Sequence, residues 1–439
     1  MIIRGAVIVS DGQERVGDVF IQNGLILQIS NTLDIDDNDV IDASGCYLLP
    51  GIIDDHVHFR EPGLTDKADM HTESMAAVAG GVTSVLDMPN VVPQTTSCET
   101  WRQRMQIAER QMHCNYGFFV GATNSNMDEI LQIPVERYPG VKLFMGSSTG
   151  NMLVDRKESL MHIFRNSPKI IMAHCEDTAI INRNMQVARE KYGDDPDVIH
   201  HPEIRSREAC IASSTLAARM AMETGARLHI AHISTAEELE LLDNLDSNDA
   251  RITGEACIAH LIYTQQDYRS LGTRIKCNPA IKHNTDRDAL RRALNDGRIA
   301  VVGTDHAPHL LSDKTGGART AASGIPMIQF SLISMLELVS EGILPLTRLV
   351  ELMCHNPARL FGIQQRGFIR EGMYADLVIV RNTEPYRLTK DGILSKCGWS
   401  PRENDEFRWK VCKTLISGNL VYDGKIVNTS FHGNPLMFS

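Results

Sequence analysis

The sequence predicts a (β/α)8 barrel with a small β-sandwich domain built from both chain termini. Three observations carry that prediction. Eight apolar runs of buried-strand character lie between residues 51 and 305, most of them separated by helical patterns. The stretches 1–50 and 366–439 share a different texture, of short strands and tight turns. The apolar runs also tend to end in histidine or aspartate, and enzyme barrels carry their chemistry at the C-terminal ends of their strands. The competing architecture is a doubly wound open sheet, which strand–helix alternation also allows. At 439 residues the chain exceeds what one small core needs.

The elements follow in order. Strands are expected at 3–9, 18–22, 25–29 and 40–42, divided by Gly and Asp turns. Barrel strands are expected at 52–58, 82–88, 116–122, 141–145, 169–174, 228–232, 251–257 and 299–305. Helical periodicity fills 99–112, 206–224, 235–244 and 287–296. Strands return at 375–380, 409–416 and 419–422, the last ending on the Asp423-Gly424 turn. The expected division is therefore 1–50 and 366–439 for the β domain and 51–365 for the barrel inserted between them.

Bulk composition excludes some functions. The formal net charge of -11 disfavours nucleic acid as a partner, because phosphate binding needs a basic surface. It leaves a small anionic substrate open, since one local cation suffices. The 10 cysteines form no CxxC pair, which fits reduced thiols in a cytoplasmic protein. The start, MIIRGAVIVSDG, reads as a strand and turn and not as a signal peptide. No run of 18 apolar residues occurs, so no membrane span is expected. A homodimer is the default assembly.

In PGIIDDHVHFREPG, at 50–63, two-residue periodicity puts His56 and His58 on one side of a strand. Lys142 lies in the fourth strand, His174 ends the fifth, His232 the sixth and Asp305 the eighth. Four histidines and an aspartate are a sound donor set for zinc. His229, three positions before His232, points elsewhere and reads as structural. An ammonium at Lys142 inside a barrel is costly unless compensated. Either it pairs with a carboxylate, or carbon dioxide converts it to a carbamate able to bridge two metals. Arg60 shares the parity of the two histidines, and its guanidinium fork suits a carboxylate.

These blocks resemble the long form of dihydroorotase within the amidohydrolase superfamily, related to allantoinase and hydantoinase/dihydropyrimidinase. HVHFREPG, DMPNVVP, VKLFM, AHCED, HIAHIST and GTDHAPH match in order, and GMYADLVIV at 372–380 matches the split β domain. The resemblance implies two zinc ions, with His56, His58 and Asp305 on one and His174 and His232 on the other. It implies that carboxylated Lys142 (N6-carboxylysine) and a hydroxide bridge them. It implies that the hydroxide attacks the ring carbonyl while Asp305 shuttles the proton. The reaction would interconvert (S)-dihydroorotate and N-carbamoyl-L-aspartate, the third step of pyrimidine biosynthesis. Arg60, Asn90 and His309 match the residues that hold the substrate carboxylate, and Asn278 a residue facing the ring, although Asn90 beside Pro89 equally suits a turn.

Two departures stand near the ring pocket. Ala280-Ile281-Lys282 replaces Pro-Leu-Arg, and Cys257-Ile258-Ala259-His260 replaces Thr-Pro-His-His. The polar segment 310–323 reads as a mobile loop by the pocket or as a passive surface loop. The alternatives are an allantoinase- or dihydropyrimidinase-type cyclic amidase, which would lack Arg60, and a non-catalytic homologue serving as scaffold for another pyrimidine-pathway enzyme. Nothing in the sequence supports such an association.

Overall fold

The computed structural model describes all 439 residues except 36–38, 147–151, 246 and 248–249. The chain opens with β1 (Ile2–Ser10), β2 (Gln13–Gln22), β3 (Leu25–Ser30), β4 (Val40–Asp42) and β5 (Tyr47–Pro50). Asp11-Gly12 and Asn23-Gly24 have positive φ at both central positions, the geometry that matches a two-residue turn to the twist of its strands. The barrel strands are β6 (Ile52–Val57), β7 (Val82–Asp87), β8 (Asn115–Phe118), β9 (Val120–Gly121), β10 (Val141–Phe144), β11 (Ile171–His174), β12 (Leu228–Ile230), β13 (Ile252–Cys257) and β14 (Ile299–Gly303). The chain closes with β15 (Leu377–Arg387), β16 (Glu406–Ile416) and β17 (Asn419–Tyr422).

The parallel strands form a closed barrel. β6, β7 and β8 pair in that order, and β9 to β14 pair in sequence. A parallel bridge between Val57 and His306 joins the last strand to the first. The predicted single strand 116–122 is interrupted at Phe119, whose N–H donates to the Asp87 carbonyl at 3.1 Å. Its first half pairs with β7 and its second half with β10. The strands are buried on both sides, which is why they read as apolar runs without alternation.

The helices carry the expected end signals. Cys98–Gln111 starts on a Ser97–Thr100 capping box, and Asp177 caps Thr178–Tyr192. Arg207–Thr224 and Asn284–Asp296 stop at Gly225 and Gly297, both left-handed. The helix predicted at 235–244 is absent. Only a 3-10 turn, Glu237–Leu241, forms there. The Asp243 carboxylate accepts from the Arg251 and Ile252 amides, both at 2.9 Å, so the chain is already held at the start of β13.

A mixed sheet from both termini runs β17-β16-β15-β5-β1-β2-β3, with β4 beside β1. β5 is parallel to β1 (Val7 opposite Tyr47) and antiparallel to β15 (Pro50 opposite Leu377). The final residues leave this sheet and return to the barrel, where the Leu436 N–H donates to the Tyr116 carbonyl at 2.8 Å. Among the described residues, no helix is long and apolar enough to cross a membrane.

Candidate active site

The candidate residues converge at one end of the barrel. His56 lies within β6, Lys142 within β10, and His174 ends β11. His58, Arg60, His232 and Asp305 lie just beyond the strands that precede them, because β6, β12 and β14 stop earlier than predicted. Arg60, His232 and Asp305 have φ values of 66°, 40° and 47°. That left-handed region is unfavourable for residues with a Cβ and concentrates at functional sites. Arg60 therefore enters the cleft through a backbone turn, not through the strand alternation that the sequence suggested, and His232 stands on a turn just past its strand.

Asp305 Oδ1 lies 3.4 Å from His56 Nε2 and 3.0 Å from His58 Nε2. The opposite ring nitrogens are fixed by other partners. Glu255 Oε2 meets His56 Nδ1 at 2.9 Å, and Asn90 Oδ1 meets His58 Nδ1 at 2.8 Å. Across the cleft, His174 Nδ1 and His232 Nε2 face each other at 2.9 Å, while Glu176 engages His174 Nε2 at 3.0 Å. Arg205 pairs with the same Glu176 oxygen. Burial pushes the His58 imidazole down to about 4. Burial, with His174 and His56 alongside, holds His232 well below its ordinary value. Both rings are thus in the neutral form that binds metal. Burial alone would raise Asp305, but His56, His58 and Lys142 keep it an ionised carboxylate.

Lys142 is fully buried between these groups, and its Nζ has no hydrogen-bond partner. Its Nζ lies 5.3 Å from the Phe144 ring centroid, and the Glu255 and Asp305 carboxylates act on it by charge without a hydrogen bond. Of the two escapes open to this lysine, no carboxylate pairs with it among the described residues. His232 Nδ1 is likewise buried without a partner. Imidazole nitrogens preset by acceptors on their far side, a carboxylate between two of them and a buried lysine without a hydrogen-bond partner fit a binuclear metal centre. A second triad, His56, Glu255 and Cys257, is also close enough to hold a cation. His229 bonds Thr253 Oγ1 at 2.8 Å and stays outside the cleft lining, as expected.

The other wall of the cleft is cationic. Arg60 donates through Nε to the Pro308 carbonyl and approaches His309 Nε2 through Nη2, both at 3.1 Å. The residue is 7 % exposed, and no carboxylate forms an ion pair with it among the described residues. Asn90 and Asn278 also line the cleft, and Asn278 Oδ1 is buried with no partner. His309 does not line it directly but stands behind Arg60.

Arg104, from the helix Cys98–Gln111, ties the two loops of this wall together. It donates to the Met88 carbonyl at 2.7 Å and the Glu61 carbonyl at 3.3 Å, and pairs with Asp87 at 2.6 Å. Asp87 in turn accepts from the Phe59 amide at 3.2 Å. The segment 310–323 is strapped down. Lys314 donates to the carbonyls of Lys276, Ala322 and Gly324, and Asp195 accepts from Gly317 and Arg319. Ser323 and Gly324 complete the cleft wall.

Sequence reasoning missed Glu255, Glu176 and Arg104. Glu255 had a signal, a carboxylate in the middle of the apolar run ITGEAC. Glu176 had one in AHCED, directly after a candidate ligand. Arg104 had none, because its partners, the Asp87 carboxylate and the carbonyls of Glu61 and Met88, lie far from it in the sequence.

Comparison with known proteins places this geometry in context. The amidohydrolase family pattern matches residues 47–421. A dihydroorotase of Methanosarcina mazei is 33% identical over 428 residues, covering 94% of this chain and 91% of that protein. An allantoinase of Bacillus velezensis is 29% identical over 428 residues, covering 96% of this chain and 94% of that one. The solved structure of an L-hydantoinase (dihydropyrimidinase) from Arthrobacter aurescens superimposes with a TM-score of 0.94 at 25% identity, covering 99% of both chains.

Proposed function

The chain belongs to the amidohydrolase family, and we propose that it hydrolyses a cyclic amide bearing a carboxylate, interconverting dihydroorotate and N-carbamoyl-L-aspartate. The observation that carries this reading is Arg60, a buried guanidinium at the cleft wall with no ion-pair partner among the described residues. A buried charge without a partner is costly, and a substrate carboxylate would compensate it. Dihydroorotate and N-carbamoyl-L-aspartate carry one at that place; allantoin, dihydrouracil and simple hydantoins do not.

His56, His58 and Asp305 would hold one zinc and His174 and His232 the other, with a carboxylated Lys142 between them. When bound, the metal pair polarises the ring carbonyl and acidifies the attacking water. The Asp305 carboxylate takes the proton of that water and delivers it to the leaving ring nitrogen, so the C–N bond breaks as the new C–O bond forms. Arg60, Asn90 and His309 hold the carboxylate and set the reactive carbonyl against Asp305. Asn90 uses its oxygen on His58, which leaves its NH2 for the substrate. Asn278 faces the ring.

A second reading has its own support. The comparisons span allantoinase and hydantoinase as well as dihydroorotase, and the 0.94 superposition is with a hydantoinase. Taken alone they favour the broader class, a cyclic amidase of allantoinase or dihydropyrimidinase type. The narrower choice rests on Arg60. A non-catalytic scaffold is disfavoured by the complete donor set.

Arg60→Lys separates the readings. It keeps the charge and loses the planar fork. On dihydroorotate kcat/KM should fall at least about tenfold, about 1.4 kcal/mol of transition-state binding. Unchanged kinetics, or wild-type turnover of allantoin or dihydrouracil faster than dihydroorotate, would overturn the carboxylate reading.

A further inference from the structure

Lys314 is 3% exposed, and its Nζ lies 3.0 Å from the Lys276 carbonyl oxygen, 2.8 Å from that of Ala322 and 2.9 Å from that of Gly324. A carbonyl only accepts, so three such bonds need three N–H groups. A neutral amine has two. The group in this cage is therefore the ammonium, held against the burial that works to discharge it. The Trp399 ring lies alongside, its centroid 5.8 Å from Nζ. Two of the three carbonyls flank Ser323, which lines the cleft together with Gly324. The rest of this stretch is held as well. Lys276 Nζ donates to the Ala321 carbonyl, the Gly324 N–H to the Lys276 carbonyl at 2.9 Å, and the Ala307 N–H to the Ile325 carbonyl at 3.0 Å. The Ser323 backbone bonds the His309 ring, whose Nε2 accepts from Arg60 Nη2 at 3.1 Å.

We infer that Lys314 is a positioning residue: its ammonium is the cation that lets three carbonyl oxygens converge beside the cleft, and so holds Ser323 in the wall and, through His309, the Arg60 guanidinium. Three carbonyl dipoles aimed at one point repel, and buried carbonyls without donors are costly. Without the ammonium the Ala322 and Gly324 carbonyls turn towards water, and the wall between them moves. A neutral side chain of the same size cannot replace it. The part this wall plays in holding a substrate rests on the reading of Arg60 as the carboxylate-binding residue. A surface cleft lined by Leu271, Arg274, Leu311 and Thr315 reaches Lys314 from outside, so a small amine can enter the cage of a truncated variant.

The test is chemical rescue of Lys314→Ala. The probe is n-propylammonium, which supplies the atoms the truncation removes, and 1-propanol is its neutral match in size. The first readout is hydrogen exchange at the Gly324 amide, which needs no substrate. Exchange in Lys314→Ala should be at least about tenfold faster than in the wild type. It should slow again with n-propylammonium and not with 1-propanol. The second readout is kinetic. KM for dihydroorotate should rise about tenfold with kcat within about threefold, because ground-state and transition-state binding weaken together. The amine should bring KM back. Wild-type exchange in Lys314→Ala overturns the inference. So does rescue by 1-propanol equal to that by the amine, since filling space would then suffice. Should Lys314→Ala fail to fold, Lys314→Gln, which keeps only part of the donor set, is measured in the same way, and wild-type exchange there overturns the inference too. If the wild type does not turn over dihydroorotate while exchange still follows the amine, the substrate reading falls and the role of Lys314 stands.

Discussion

The His56 Nδ1 atom lies 2.9 Å from Glu255 Oε2, and both residues are sealed from solvent. With Glu255 holding Nδ1, Nε2 is the ring nitrogen that faces Asp305. The same oxygen also receives the His232 backbone N–H at 2.9 Å. Glu255→Gln keeps the size of the side chain and removes its charge. Metal affinity should fall about 10–100-fold, the usual effect of losing such a support. Competition with a chelator of known affinity measures it, and unchanged affinity would show that Glu255 does not preset the ring.

Lys142→Ala should remove most activity, since a buried amine without a partner occupies the middle of the donor set. If the residue is carboxylated, short carboxylates added to this variant should restore part of the rate. Enzyme prepared in ¹³C-bicarbonate should show a carbamate carbon that is missing from the variant. An unmodified ammonium in fully active enzyme would rule the modification out.

Asp305→Asn tests the proton shuttle. The amide cannot accept the water proton, so kcat should drop about 10²–10⁴-fold in both directions. Metal content must be measured on the same sample, because the residue is also a candidate ligand. Near wild-type rates with metal bound would remove Asp305 from that role.

Asp87→Asn should act on stability more than on chemistry. It leaves the Arg104 guanidinium buried without its counter-charge, a change worth about 3–5 kcal/mol in comparable pairs. Urea denaturation reads the loss directly. A variant as stable as the wild type would mean that the carbonyls of Glu61 and Met88 suffice for Arg104.

The barrel was legible because its strands are buried on both faces and its helices carry caps at Ser97 and Asp177 and stops at Gly225 and Gly297. Every candidate ligand named from the sequence lies in or against the cleft, because each directly follows or interrupts an apolar run. What the sequence hid is long-range. The interruption at Phe119 depends on which neighbour each half-strand finds. The helix expected at 235–244 is overridden by Asp243 bonding to amides eight and nine residues away. Arg60 reached the cleft for a reason other than parity, since a left-handed turn is not encoded in alternation.

β5 lies between β1 and β15, so a strand made early in synthesis waits for a partner made near its end. Gly51 alone separates β5 from β6, the first barrel strand. The barrel's own closure, Val57 to His306, also spans most of the chain. Emerging from a ribosome, the N-terminal fifty residues would therefore expose the Tyr47–Pro50 edge until Leu377–Val380 arrives, and an open apolar edge invites aggregation. Such a chain is expected to depend on chaperones during synthesis, and fragments ending before residue 377 should be insoluble even where they contain every residue of the cleft.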